Sequence, residues 1–283
     1  MNWRDYEEEI FNIFRKEYPN ADVILNTKKR GLYSKIDRQI DILIEDYIAG
    51  NRMTIIVDGK FFNKKIDVKN VESFIGMLED VGAHKGLLIS QKGFSKSAIN
   101  RAYYGPSKVE LDVLNFSDLQ QFQGFLAFPY SGNNCVILPA PFGWVIDAQR
   151  TTMGVATLYE RGMILESAFK NSQIMYIQFW DRKKNNDSLN DLLGLQEKNI
   201  KEVDANAHIS YLLTIKRNDA KITLRKAIVK NYPTPEYGGF IEFDDFIFFC
   251  ILFTKDEVAE KNIKKLENIL MKVMPIKVIH GDA

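Results

Sequence analysis

Three polar residues stand inside apolar runs at positions that packing does not explain. Asp41 interrupts QIDILI, and Asp58 and Lys60 close TIIVDGK. Both runs belong to RQIDILIEDYIAGNRMTIIVDGK, Arg38 to Lys60, and flank a short turn, so they read as a β-hairpin. If the turn is symmetric about Ala49-Gly50, paired residue numbers sum to 99. Asp41 then faces Asp58, and Gln39 faces Lys60. Directly opposed residues hold their β-carbons about 4.5–5.5 Å apart, where two like charges destabilise the pair unless something positive sits between them. A hard divalent cation with oxygen ligands meets that need. Side chains alternate along a strand, so Lys60 shares a face with Asp58 and points to the same spot. Such a set suits phosphodiester hydrolysis: the cation polarises the phosphate and activates a water, and the lysine orients or deprotonates that water. Asp-x-Lys alone is a common triplet. On residue pattern alone, two solvated edge aspartates are the alternative.

The elements that must position these residues can be read from periodicity. Trp3 to Tyr18 carries Tyr6, Ile10, Phe11 and Phe14 at helical spacing. Ala21 to Asn26 reads as a short strand, followed by Lys28-Lys29-Arg30-Gly31 as a basic loop and then the hairpin. Val68 to Val81 is an amphipathic helix stopped by Gly82. KGLLIS (Lys85 to Ser90) is a buried strand, Ser95 caps a helix through Tyr103, and Val109 to Leu114 is another strand. Helix, three strands, helix, strand, helix, strand implies α/β: a mixed sheet with helices on its faces. A boundary is expected near Gln121 to Gly124, giving domains 1–122 and 123–283. Pro129 to Gly143 reads as a connection or a loop-rich start of the second, α+β domain. Its expected strands are Cys135–Leu138, Gly143–Asp147, Ile174–Trp180, Ile209–Lys216, Lys221–Val229 and a fully buried Phe246–Phe253. Thr254 to Glu257 has capping-box spacing, opening a helix with Val258, Ile263, Leu266, Leu270 and Val273 inward.

Bulk properties exclude several classes. The chain has 283 residues, a net charge of +1 and 27% charged residues, so no global basic field draws in nucleic acid; an anionic partner needs a local patch. Cys135 and Cys250 sit in apolar contexts without metal-ligand spacing. No signal peptide opens the chain, and no apolar run is long enough for a bilayer, so no membrane association and a cytoplasmic location are expected.

The ordered pieces YEEEIFNIF, RQID at Arg38 to Asp41, IIVDGK at Ile55 to Lys60, and VKNVESFIGMLEDVGAHKGLLISQKGFSKSAINRAY from Val68 to Tyr103 resemble the Mrr-like branch of the PD-(D/E)xK restriction endonucleases. The resemblance covers roughly residues 3 to 118. It implies a restriction-endonuclease-like α/β domain with Asp41, Asp58 and Gly59 at the metal, Lys60 as catalytic lysine and Glu7 as the N-terminal acidic residue. The second acidic position more often holds Glu or Gln than Asp, and the position of Gly59 often holds Cys.

Gln39 is placed to touch water or phosphate. Lys28, Lys29, Arg30, Lys64 and Lys65 flank the hairpin and together could grip phosphates; Lys92, Lys96 and Arg101 are weaker candidates. Glu45 and Asp46 read as solvated turn residues. The expected activity is Mg²⁺-dependent hydrolysis of double-stranded DNA, with Mn²⁺ as a substitute, in defence against foreign DNA and by a homodimer. The rival readings are a catalytically silent nucleic-acid-binding or scaffold protein, and a nuclease for branched DNA or RNA.

Overall fold

The computed structural model describes residues 2–48, 51–104, 109–121, 124–131, 134–182, 188–212, 217 and 219–277. The chain forms two compact units, Met1–Phe122 and Gln123–Ala283. The expected Ala49-Gly50 turn and the stretch 213–216 of one expected strand lie outside the described residues.

In the first unit, α1 (Trp3–Glu17) is opened by Asn2, whose side chain accepts from the Arg4 and Asp5 amides while Asp5 reaches back to the Asn2 amide. Three strands follow: β1 (Asp22–Arg30), β2 (Asp37–Ile48) and β3 (Asn51–Lys60). Then come α2 (Val68–Asp80), β4 (Lys85–Ser90), α3 (Lys96–Tyr104), β5 (Glu110–Asn115) and a 3₁₀ turn at Phe116–Gln120. The sheet order is β1-β2-β3-β4-β5; the first three strands are antiparallel, and β3, β4 and β5 are parallel. Parallel neighbours need crossovers, which α2 and α3 supply. Val71, Phe74, Ile75 and Leu78 of α2 and Ala98 and Ala102 of α3 pack on Ile40, Leu43, Ile56 and Leu88. Gly59, of opposite parity to Ile56 on β3, faces α1: a β-carbon there would stand 3.0 Å from Ile10 Cδ1 and 3.1 Å from Tyr6 Cε1.

The β1–β2 ribbon is sharply bent at one point. Its ladder runs from Asp22↔Glu45 to Arg30↔Asp37 but omits Asn26 opposite Asp41, and Asn26 is left-handed (φ 57). The alternation of faces slips there, since Ile40 and Leu43 share one core. In a straight ribbon the ends of β2 at Arg38 and Glu45 would lie roughly 23 Å apart. Yet Lys29, paired with Arg38, reaches Glu45 with Nζ 2.9 Å from Oε1. The distal half therefore folds back over the α2 side, and its tip is tied to Asp80 at the end of α2. The Tyr33 and Ser34 amides donate to Asp80 Oδ1 (3.0 and 2.9 Å), while Ser34 Oγ and Arg38 Nε donate to Oδ2 (2.5 and 2.6 Å).

These facts correct two expectations. Lys28, Lys29 and Arg30 are not a loop but the end of β1, because the strand continues through the Asn26 irregularity. Glu45 is not a solvated turn residue: it is buried in β2 and held by Lys29 and Arg52.

The second unit contains β6 (Phe125–Ser131), β7 (Asn134–Pro139), β8 (Trp144–Asp147), β9 (Ala156–Glu160), α4 (Leu165–Lys170), β10 (Ile174–Asp181) and α5 (Leu189–Val203). It continues with β11 (His208–Tyr211), β12 (Ile222–Ile228), β13 (Glu236–Glu242), β14 (Phe246–Phe253), α6 (Ala259–Lys272) and β15 (Met274–Lys277). The strands build an antiparallel sheet, β11-β12-β13-β14-β10-β9-β8, and a three-stranded sheet, β15-β7-β6. The β14 run FIFFCILF is buried on both faces as expected: Phe248, Cys250 and Leu252 join Leu266, Leu270 and Val273 of the α6 side, while Phe249 and Ile251 meet Leu189, Leu192 and Leu193 of α5. The expected strand Cys135–Leu138 lies within β7, and the stretch Pro129 to Gly143, read as a connection or loop-rich start, also carries the end of β6, where Pro129 sits on an edge strand beside a register shift. The capping box at Thr254 does not form; Thr254 Oγ1 accepts from Asn262 Nδ2 at 2.9 Å, and a 3₁₀ turn precedes α6.

Two glycines on the first unit test this packing. A β-carbon on Gly86 of β4 would meet Leu78 Cδ1 at 2.3 Å, whereas one on Gly76, exposed in α2, meets nothing within 4 Å. Gly86→Ala should cost about 1–3 kcal/mol by overpacking. Gly76→Ala should gain about 0.5–1 kcal/mol by restricting the unfolded chain. Urea unfolding of both variants checks the pair, and a neutral Gly86→Ala would mean that α2 lies farther from β4 than described.

Candidate active site

Asp41, at the bend of β2, and Asp58, near the carboxyl end of β3, are brought together by the ladder between those strands. The described register, Ile42↔Val57 through Ile48↔Asn51, sums to 99 at each pair, so Asp41 and Asp58 are the next residues to face one another. The Asp41 carboxylate accepts from the Gly59 amide, N to Oδ2 3.1 Å. It also lies close enough to Asp58 for the two carboxyls to share a hydrogen bond. Burial is the largest influence on Asp41, then the Asp58 hydrogen bond and charge, then Glu7; the Gly59 amide pulls the other way. The outcome is a carboxyl pushed up to about 8. Two acids compressed at this range cannot both ionise freely, so one proton stays with the pair.

Lys60 supplies the local positive charge, with Nζ 2.7 Å from Asp58 Oδ2. The other oxygen, Asp58 Oδ1, is buried without a hydrogen-bond partner. So is the hydroxyl of Tyr6, which the Asp58 charge helps hold well above its ordinary value after burial has raised it. The Tyr6 ring is clamped between Phe61 and Phe116, with centroids 5.3 and 4.6 Å away. Glu7, one residue on and half-buried, is raised first by burial and then by Asp58, and lowered by Lys60, which places it in the same electrostatic neighbourhood. α1 thus delivers Tyr6 and Glu7 to this end of β3, and the absence of a β-carbon at Gly59 lets the helix come that close.

The remaining candidates are dispersed. Gln39 is exposed and donates Nε2 to Asn26 Oδ1 at 2.8 Å; the slip at Asp41 removes the shared face on which its contact with the site was expected. Lys64 and Lys65 are exposed in the segment that follows Lys60. Lys28 is exposed on β1, Lys29 pairs with Glu45, and Arg30 lies 3.4 Å from Asp37. Arg101 pairs with Glu72 across α2 and α3. Tyr6 was legible only as a helix-core residue; its hydroxyl becomes notable once the fold sets it beside Asp58.

Among the described residues, no group of three or more His, Cys, Asp or Glu side chains is disposed to hold a metal ion. The donor set is two carboxylates, one with an unpartnered buried oxygen. Hard oxygen donors in that number fit a cation such as Mg²⁺, which binds through one or two carboxylates and keeps several waters.

A mixed sheet with helices on both faces and an Asp–Asp–Lys cluster at the end of a central strand defines the class, a restriction-endonuclease-like nuclease domain. Residues 1–122 match the family model Mrr_cat, described as restriction endonuclease. No curated protein matches the chain. Similar solved structures include a protein of unknown function, AF1548, at 15% identity over 40% of this chain and 58% of that one, with a TM-score of 0.31. Another is cyanobacterial PsbP (CyanoP) from Synechocystis sp. PCC 6803, at 8% identity over 53% of this chain and 91% of that one, with a TM-score of 0.35. Likeness at these scores carries no argument. Among the described residues, no helix is long and apolar enough to cross a membrane.

The raised Asp41 carboxyl has a measurable sign. It titrates near 8 in the folded chain and at about 3.9 when unfolded, so the metal-free fold holds the proton more tightly. Stability in EDTA should therefore fall as pH rises from about 4 to about 8, and Asp41→Asn should flatten that fall. Equal slopes for the two proteins over this window would separate Asp41 from Asp58. Tyr6→Phe deletes a buried hydroxyl with no partner, so the metal-free variant should melt at the same temperature or higher; a clear loss would give the hydroxyl a structural partner.

Proposed function

We propose that the chain is a metal-dependent endodeoxyribonuclease that hydrolyses double-stranded DNA. The observation that carries this reading is the pair of carboxyls at the end of β3: Asp41 on the Gly59 amide, and Asp58 buried, with Lys60 against its Oδ2. Asp41 and Asp58, with the Gly59 backbone between the second acid and the lysine, would hold Mg²⁺, or Mn²⁺ in its place. Bound there, the cation would polarise the scissile phosphate and activate a water. Lys60 keeps one rotatable ammonium at the same point; it neutralises the metal-free pair and is placed to orient the attacking water and offset charge as it develops. On binding the cation Asp41 would release its proton to solvent and act as a carboxylate ligand. Glu7 adds negative charge at the rim and can hold a water by hydrogen bonding. Lys64 and Lys65, exposed just beyond Lys60, grip backbone phosphates, and Lys28 extends that track. Lys29 and Arg30 contribute less, since each already has a carboxylate partner.

Residues 1–122 would carry the chemistry. Residues 123–283 would serve recognition, sensing or assembly, and cutting both strands calls for two active sites, hence a homodimer. Restriction-endonuclease-like chemistry points to defence against foreign DNA as the setting.

Plasmid cleavage with Mg²⁺, with Mn²⁺ and with EDTA tests the activity. Asp41→Ala, Asp58→Ala and Lys60→Ala should each lose orders of magnitude in rate while keeping wild-type circular dichroism. Wild-type cleavage by any folded variant removes that residue from the mechanism, and cleavage undiminished in EDTA removes the metal. For the phosphate track, Lys64→Ala with Lys65→Ala should lower the slope of log affinity against log salt by about 0.9 for each phosphate no longer neutralised. An unchanged slope places that segment away from DNA.

A further inference from the structure

Two segments leave the carboxyl edge of the first unit's sheet, residues 61–67 after β3 and 91–95 after β4, and they are stitched together. β3 and β4 are parallel, with Lys60 beside Ser90, and the Gln91 amide donates to the Lys60 carbonyl at 3.4 Å. Farther out, the Ile66 amide donates to the Gly93 carbonyl and the Ser95 amide to the Ile66 carbonyl, both at 2.9 Å, and Ile66 and Phe94 form a parallel bridge. Both of those side chains are buried in the core that α2 and α3 share. The turn after β4 is fixed as well. Ser90, fully buried, donates Oγ to the Gly93 carbonyl at 2.9 Å and accepts from the Lys92 amide at 3.2 Å. Gly93 supplies the left-handed backbone (φ 79) that this turn needs. The two segments therefore hold one backbone geometry beside Lys60.

That pinned pair is cationic. Lys64, Lys65, Lys92, Lys69 in the first turn of α2 and Lys96 at the start of α3 are all exposed, and among the described residues none has an acidic partner. Against them on the same edge stand Asp67, which caps α2 by accepting from the Asn70 amide at 3.1 Å, and Asp118, which accepts from Asn115 Nδ2 at 2.9 Å; Glu72 pairs with Arg101. Five lysines against two acids leave an excess of three positive charges. α2 and α3 both begin here, so their amino ends add partial positive charge. Binding a ligand to mobile loops costs backbone freedom; here the fold has already removed it. Adjacent strands lie about 4.8 Å apart and a residue spans at most about 3.6 Å, so the Lys92 Cα is within roughly 12 Å of the Lys60 Cα. Phosphates rise about 3.4 Å per nucleotide along one strand, so that distance covers about three nucleotides. We propose that residues 61–69 and 91–96 form one preformed cradle for backbone phosphates, in which Lys92 and Lys96 grip the DNA beside the scissile phosphate. This rests on the nuclease reading above and adds to it the turn between β4 and α3, which sets the path of the duplex along the carboxyl edge, over β3 and β4.

The test uses the full chain and a short DNA duplex, with Ca²⁺ in place of Mg²⁺, and measures affinity over a range of salt. Lys92→Ala with Lys96→Ala should lower the slope of log affinity against log salt by about 0.9 for each lysine, about 1.8 together. Lys92→Arg with Lys96→Arg keeps both charges and should keep the wild-type slope. Lys16→Ala is the control: it removes an exposed charge from the last turn of α1, far from Glu7, and should leave the slope unchanged. All three side chains are exposed, so melting temperatures should match wild type. A wild-type slope in the double alanine variant, while wild type cleaves with Mg²⁺, overturns the cradle and leaves the nuclease reading standing. An equal fall per lysine in Lys16→Ala also overturns it, because the lysines would then act as a general field and not as contacts. If the double alanine variant loses affinity for an RNA duplex but not for DNA, the surface serves RNA and the proposal fails. If wild type neither binds the DNA duplex nor cleaves it with Mg²⁺, the nuclease reading fails and takes the cradle with it.

Discussion

The first unit depends on the bend at Asn26 and Asp41. A β-ribbon prefers a smooth twist, and a left-handed asparagine opposite an aspartate drops one rung from its ladder, with the register unchanged on either side, and turns Ile40 and Leu43 into one core. Three consequences follow from that local cost. Lys29 and Glu45, far apart along a straight ribbon, become an ion pair. The tip arrives at the end of α2, where one carboxylate satisfies two amides, a hydroxyl and a guanidinium. Asp41, at the corner, is left beside Asp58 with its own carboxylate on the Gly59 amide. Strain of this kind persists where the surroundings over-determine it, and the Asp80 anchor and the Glu45 pairs do so here.

The site itself is a frustrated one. Folding delivers two carboxyls, a tyrosine hydroxyl and a glutamate to one strand end, and satisfies them incompletely. Asp41 keeps a proton, Lys60 covers one oxygen of Asp58, and the other oxygen and the Tyr6 hydroxyl go unmet. Buried polar atoms without partners are rare because each carries a desolvation penalty. In the second unit the buried Arg225 pairs with Glu236 at 2.6 Å, with Gln196 and with the face of Phe240, and its Nε has no partner.

Much of the first unit is legible from sequence. Helix α2 and strand β4 emerge at their bounds because apolar periodicity and a left-handed Gly82 signal both the elements and the stop. The hairpin register follows from symmetry about a two-residue turn, and the ladder keeps that sum. The second unit is less legible. Helix α5 and strands β9 and β13 escape a reading by periodicity, since a leucine-rich helix with polar interruptions and short strands buried on both faces give no clear alternation. Glu45 is misplaced by sequence because a charged residue near a turn looks solvated until its two partners are known.

The sequence by itself determined which side chains could do chemistry and in what order along the chain: the acids within apolar runs, the lysine two residues on, the helix that carries Glu7, and the ordered motifs of an Mrr-like domain. Those are local facts, set by composition and period. Only the tertiary structure decided that the ribbon bends at Asp41, that Gln39 turns to Asn26 instead of the site, that Tyr6 brings an unmet hydroxyl to Asp58, and that the ribbon's tip is tied to Asp80. Each of these depends on contacts between residues far apart in sequence, and no window of sequence encodes the distance between them.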